Sequence, residues 1–200
     1  MMRRKGASGA ITIEACVTVV LFMMLMFILF GFFMIFMAQN AVAHVALVTA
    51  QSLAMDAWQV SKLQMNGFPP DVGTIISNLV AEGFGQNETN PWYMSETEWW
   101  KDKVKLENEI ANRFLGYFSG GDAILAQRLM KAVRISMNGG ADWRLALDFS
   151  ESKVKNGELY VVVKYKVNYL LQIWGLDSVD MQQTAAARLW MKDAAFANSG

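Results

Sequence analysis

The chain has 200 residues, of which 54% are hydrophobic and 18% charged, and its formal net charge at neutral pH is zero. That length leaves one modest domain once a membrane-length segment is set aside. The charge balance gives no basic surface for nucleic acid, and one histidine with one cysteine cannot build a His/Cys metal site. We therefore expect no nucleic-acid partner, no metal and no cofactor.

A short basic leader precedes a long apolar segment. Arg3, Arg4 and Lys5 come before a run from Ala15 to Ala38 that carries no charge. As a helix, this run spans roughly 36 Å, enough to cross a bilayer. The basic residues before it predict a cytoplasmic N-terminus, an exported C-terminal part and a single-pass location in the cell membrane.

A cleaved secretory signal is the alternative interpretation of this segment. Ala41-Val42-Ala43 has the small-x-small form that signal peptidase accepts. The apolar core, however, is well beyond the roughly 7 to 15 residues of a secretory signal. We therefore favour a permanent membrane helix.

The helical pattern continues beyond the membrane segment. Residues 38–66 contain no proline or glycine until Asn66-Gly67, and Pro69-Pro70 follows. We predict one continuous helix over residues 10–66, with its membrane part at about 11–38. Two apolar stripes follow from its periodicity, first Val42, Val45, Leu53, Val60 and Leu63, and second Leu47, Val48, Met55, Trp58 and Met65. Either one stripe covers the chain's own globular part and the other stays free, or both are buried in one core.

The remaining residues predict a small α+β head over 67–200, carrying a three- to four-stranded antiparallel sheet. Ser95 with Glu98 forms a capping box for a helix over 96–118, and Asp122 caps a helix ending near Val133. Period-two alternation predicts strands over 143–149, 159–169 and 182–191, with a turn at Asn156-Gly157 and Trp190 anchoring the last strand.

No pattern in the sequence points to catalysis, so we expect a protein that is not an enzyme. The carboxylate pairs Glu107 with Glu109 and Asp177 with Asp180 have spacings typical of solvated faces. His44 lies on the long helix, where a lone polar residue is usually solvated. An aromatic group, Trp92, Tyr93, Trp99 and Trp100, is either an exposed contact patch or part of the packing between head and helix.

Gly9, followed by Ala10-Ile11-Thr12-Ile13-Glu14 and an apolar helix, resembles the class III signal of type IV pilins and pseudopilins. The form Gly-Ala-Ile-Thr-Ile-Glu-Ala is most similar to TadE-like pseudopilins of the tight-adherence (Tad, or Flp) pilus, in the version common in Gram-positive bacteria. The segment from Gln183 to Trp190 is similar to the closing strand of those proteins.

The resemblance implies that residues 1–9 are a leader removed by a prepilin peptidase between Gly9 and Ala10. Glu14 would then pair with the new N-terminal amine of Ala10 and act in assembly. The implied partners are the prepilin peptidase, other pilins through the N-terminal helix, membrane lipid and, indirectly, the assembly ATPase and platform complex. The function expected is a minor structural subunit of a Tad-type pilus or its assembly machinery. The alternative is an unprocessed, membrane-anchored extracellular binding or sensor module.

Overall fold

The computed structural model describes residues 7–65, 99–137, 144, 146–169 and 177–190. Within the long N-terminal helix, it describes the side chains from Ile13 to Gln59 and that of Ser61. Residues 66–98 lie outside the described residues, and with them Trp92, Tyr93 and the predicted capping box of Ser95 and Glu98.

Helix α1 runs without interruption from Ala7 to Met65, a length of 59 residues. A single helix of about this extent is what the absence of proline and the stop signal at Asn66-Gly67 predict. Gly31 lies within the helix and does not break it, since one glycine in a helix interior costs only about 1 kcal/mol relative to alanine.

In the described part of the chain, two shorter helices follow, α2 (Lys103–Ser119) and α3 (Ala123–Ala132), after a 3-10 turn at Trp99–Lys101. The Asp122 carboxylate accepts hydrogen bonds from the N–H groups of Ile124 and Leu125, which confirms the predicted cap. The predicted start of the preceding helix near residue 96 is wrong. Asp102 caps it instead, accepting from the Val104 N–H at 2.9 Å, while Trp99 and Trp100 turn into the core.

Four strands among the described residues form one antiparallel sheet: β1 (Leu147–Asp148), β2 (Lys153–Lys155), β3 (Glu158–Asn168) and β4 (Ser178–Arg188). β4 pairs with β3 along its whole length. β1 and β2 pair with different parts of β3, so they share its other edge. The predicted turn at Asn156-Gly157 joins β2 to β3, with positive φ at both residues. The long helix, the two shorter helices and this sheet make an α+β fold.

The edge of β3 opposite β4 is built from separate short pieces. Among the described residues of the predicted strand over 143–149, only Leu147 and Asp148 pair with β3, and the strand ends there because the Asp148 carboxylate accepts from the Ser150 N–H and turns the chain away. Ser152 fills the gap, since its hydroxyl accepts from the Val162 N–H at 3.0 Å and donates to the Val162 carbonyl at 3.2 Å. Beyond β1, Ile135 forms an isolated bridge with Val167.

The core lies between α1 and one face of the sheet. β3 turns its odd-numbered residues to that face, as the alternation predicts: Leu159, Val161, Val163, Tyr165 and Val167 are all buried. The predicted anchoring by Trp190 is wrong, because Trp190 is 69% exposed and the neighbouring Leu189 is buried in its place. Side chains alternate between the two faces of β4, and its odd-numbered residues face the core. Continuing this alternation places Leu189 in the core and Trp190 on the opposite face.

Candidate functional site

The N-terminal part of α1 is an apolar surface that the rest of the described chain does not cover. Every described side chain from Ile13 to Phe30 is exposed, and α1 contains a window of mean hydropathy 2.9 with no buried residue. Its exposed members include Leu21, Phe22 and Phe33, at 54 to 61%. Length and composition therefore make α1 a helix able to cross a membrane.

The predicted processing and pairing residues lie at the start of this surface. Gly9 and Ala10 belong to the first turn of α1, and Glu14 lies in the second turn with its side chain exposed. The Thr18 hydroxyl donates to the Glu14 backbone carbonyl at 2.8 Å, so it leaves the carboxylate free for another partner. The topology residues Arg3, Arg4 and Lys5 lie outside the described residues.

Full burial on α1 begins at Ala38, and Ile35, just before it, is partly buried against the core. From Ala38 to Ala57 one face of the helix enters the core, including Val42, Val45 and Leu53 of the first predicted stripe. In the second stripe, Leu47, Met55 and Trp58 remain 44%, 61% and 41% exposed. The division into one covered and one free face is therefore confirmed over these residues, and burial of both stripes is wrong there. Val60, Leu63 and Met65 lie outside the described side chains.

A buried ionic cluster joins α1 to α2, and the sequence interpretation missed it. The Arg113 guanidinium donates to Asp56 Oδ2 at 3.1 Å and to Ser52 Oγ at 3.0 Å, and its Nε donates to Glu109 Oε1 at 3.3 Å. The Arg113 and Asp56 side chains are only 4% and 3% exposed. The predicted solvation of Glu109 is wrong, since its side chain is 13% exposed and paired.

This cluster fixes how the head sits on the helix. A guanidinium presents several donors in one plane, so it satisfies partners from two helices at once. Ser52 and Asp56 are four residues apart, as are Glu109 and Arg113, so each pair shares one helix face. Asp56 is the first charged residue after Glu14 on α1, and this was the available signal, because an isolated buried charge needs a partner.

The predicted aromatic contact patch is wrong for the two members that the structure describes. Trp99 and Trp100 are 1% and 5% exposed, and their rings meet edge to face with centroids 5.4 Å apart. They belong to the hydrophobic core, which supports the packing alternative. Trp99 and Trp100 therefore do not form an exposed contact patch, and the other two members of the group, Trp92 and Tyr93, lie outside the described residues.

The remaining reactive side chains make no site in the described part of the chain. His44 and Cys16 are both exposed on α1, and no group of three or more metal-ligating side chains occurs among the described residues. The chemically distinctive features are therefore the uncovered apolar segment with Glu14 near its start and the buried cluster around Arg113.

Comparison with protein-family models, with curated proteins and with solved structures finds no match for this chain.

Proposed function

We propose that the chain is a TadE-like prepilin, a minor structural subunit of a Tad-type pilus or of its assembly machinery. The observation that carries the proposal is the division of α1 at Ala38. Before it, the helix offers apolar surface to lipid or to neighbouring helices; after it, the same helix is the core of an α+β head. One continuous helix would thus both insert into the membrane and hold the head outside it.

Processing after Gly9 gives Glu14 a role. An unpaired carboxylate costs on the order of 3 kcal/mol near the middle of a bilayer and less near its edge. Cleavage creates a positive amine on Ala10, one helical turn before Glu14. Pairing of the two groups, within one chain or between neighbours, lowers the cost of keeping either in a low dielectric. Glu14 then sets the register in which helices assemble.

The first experiment is to determine the N-terminus of the protein in cells that carry the Tad system. We expect it at Ala10. Gly9→Val should leave the leader in place, because a branched side chain replaces the glycine before the cut bond. Gly6→Val is the matched control and should be processed normally. An N-terminus at His44, or an intact leader in the unchanged protein, would refute processing after Gly9.

Glu14→Gln tests the assembly role separately from processing. The amide keeps the size of the side chain but cannot neutralise the amine, so we expect the processed variant to be lost from sheared pili and to remain in the membrane. Thr18→Val is the control, since Thr18 lies one turn further along α1 and its hydroxyl bonds only within the helix. Unimpaired incorporation of Glu14→Gln into pili would refute the assembly role of Glu14.

A further inference from the structure

The outer edge of β4 carries a row of backbone groups without partners in the described part of the chain. β4 pairs with β3 alone. The Leu189 N–H donates to the Gly157 carbonyl at 2.8 Å on the β3 side. Because successive residues of an antiparallel strand point their backbone groups to opposite sides, the odd-numbered residues of β4 bond to β3. The even-numbered residues from Asp180 to Arg188 therefore point N–H and C=O groups outward.

This edge lacks the usual protection against pairing. Residues 181–187 read Met-Gln-Gln-Thr-Ala-Ala-Ala, with no charge, proline or glycine. Edge strands that stay unpaired are commonly short or carry lysine, proline or a bulge. β4 instead pairs with β3 in an unbroken register over 11 residues. Its edge is thus suited to accept another strand.

An apolar groove opens beside the C-terminal half of this edge. It has a volume of about 680 Å³ and lies between α1 and β4, with Met55 and Trp58 on one side and Ala187 and Trp190 on the other. Met55, Trp58 and Trp190 are 61%, 41% and 69% exposed. A strand added to β4 would direct every second side chain toward Met55 and Trp58.

Arg188 supplies a charge at the rim of the groove. Its guanidinium lies 5.3 Å from the centre of the Trp190 ring. Glu158 is its neighbour across the strands, but that carboxylate accepts from the Tyr160 hydroxyl. Arg188 makes no ion pair with any carboxylate in the described part of the chain. It lies on the outer face of the sheet, so it favours an acidic residue on the outer face of an added strand.

We propose that the β4 edge binds an extended segment of a partner protein by strand addition. The segment alternates apolar residues, which enter the groove against Met55 and Trp58, with polar residues that include a carboxylate opposite Arg188. Main-chain hydrogen bonds to the even-numbered residues of β4 supply affinity, and the groove and Arg188 supply selectivity. This surface does not depend on processing at Gly9 and so extends beyond the function proposed above.

A second copy of the chain fits this edge less well. Two copies that pair β4 with β4 around a two-fold axis run the two strands in opposite directions. The α1 helix of each copy packs on its own sheet, so the two α1 helices also run in opposite directions. Their N-terminal apolar segments then extend to opposite ends of the dimer. One bilayer does not accommodate that arrangement, whereas an extended segment of another protein imposes no such condition.

The test uses the full chain in detergent and a fluorescent nonapeptide of alternating valine and threonine, with one threonine replaced by glutamate. We expect binding by fluorescence anisotropy and slower amide exchange at Gln182, Thr184 and Ala186. A peptide of the same composition without alternation should not bind. Ala186→Pro removes an outward N–H without removing a bond to β3, so it should weaken binding about tenfold or more.

Reversing the charge at Arg188 tests whether this residue selects peptides that carry a carboxylate. Arg188→Glu should weaken binding of the glutamate peptide by about tenfold, and a peptide with lysine in place of glutamate should restore it. Lys153→Glu makes the same change of charge on exposed β2 and should have no effect.

Three results would overturn the proposal. Slow exchange at the even-numbered β4 amides before any peptide is added would mean that the edge is already covered. Equal binding of the alternating and non-alternating peptides would mean that no strand forms. A dimer in detergent that Ala186→Pro dissociates would make a second copy the occupant.

Discussion

Arg113 joins α1 to the head through buried polar contacts. It is buried with two carboxylates and a hydroxyl, all within 3.3 Å of its nitrogens. A buried pair adds little net stability compared with an apolar replacement, but loss of one partner leaves an uncompensated charge. The cluster therefore selects one arrangement of α1 and α2 over others that bury the same area.

Arg113→Met should lower the free energy of unfolding by about 3 kcal/mol, because it removes a buried cation from its contacts with Asp56 and Glu109. Addition of Asp56→Leu should restore part of the loss. Arg128→Met is the control, since Arg128 is exposed on α3, and should change stability by less than about 0.5 kcal/mol. Denaturant unfolding followed by tryptophan fluorescence measures all three. Equal effects of the Arg113 and Arg128 substitutions would contradict a structural role for the cluster.

The lowered pKa of Asp148 makes the free energy of unfolding depend on pH. A hydrogen bond from the Ser150 N–H is the main cause that holds the pKa of Asp148 below its ordinary value of 3.8, and Lys164 and Lys103 add to the effect. A carboxyl whose pKa is lower in the folded state stabilises the fold above its unfolded pKa. That contribution is lost as the pH falls through the folded pKa.

Asp148→Asn should therefore destabilise the protein near neutral pH, and the difference from the unchanged protein should shrink below about pH 4. Unfolding free energies measured across this range provide the test. Asp177→Asn is the control, because Asp177 is exposed and precedes β4. A difference between the unchanged protein and Asp148→Asn that is independent of pH would contradict the assignment.

At the scale of the elements, Ser152 lets two short strands share one edge of β3. The chain leaves the sheet after Asp148 and returns at Lys153, and the Ser152 hydroxyl replaces the missing ladder bonds at Val162. Ser152 is 3% exposed, so water cannot take over this role. A serine that looks like a loop residue in the sequence thus completes the hydrogen bonding of β3.

Ser152→Ala should cost about 2 kcal/mol in unfolding free energy, since it leaves the buried N–H and C=O of Val162 without partners. Faster amide exchange at Val162 should accompany the loss. Ser178→Ala, at the exposed start of β4, should have little effect. Unchanged exchange at Val162 would show that the Ser152 hydroxyl is dispensable.

At the scale of the whole molecule, α1 has two halves with opposite solvent preferences. The half before Ala38 exposes its apolar side chains, whereas the half after it contributes Ala46, Ala50 and Leu53 to the core. The small alanines allow the helix to approach the sheet closely, and Ala185 on β4 is similarly buried. Loss of the first half should therefore affect solubility, and loss of the second should affect folding.

A chain that begins at Ala38 should be soluble without detergent and retain its fold. A chain that begins at Trp58 should not fold, because it lacks the α1 face that covers the sheet and the Asp56 partner of Arg113. Size-exclusion chromatography and circular dichroism distinguish these outcomes. If the longer deletion folded equally well, the head would have a core independent of α1.

The local pattern of residues was sufficient to predict the long helix, its two apolar stripes, the Asp122 cap, the Asn156-Gly157 turn and the buried face of β3, but it left open whether one stripe or both are buried. Each depends on neighbours within a few positions, through helical or strand periodicity or the backbone preferences of glycine and asparagine. The Gly9-Glu14 interpretation also came from local sequence, and it remains a proposal.

Only the tertiary structure decided the features that join distant residues. Arg113 bonds to Asp56, which lies 57 positions earlier in the chain. The local sequence around either residue does not predict that α1 and α2 are in contact. The register of β4 against β3 places its odd-numbered residues on the core face, so Leu189 is buried and the larger Trp190 is exposed. The open edge of β4 likewise depends on which strand pairs with which. Local sequence determined the elements and the apolar segment of α1, while long-range packing decided which charges are buried and which surfaces remain free.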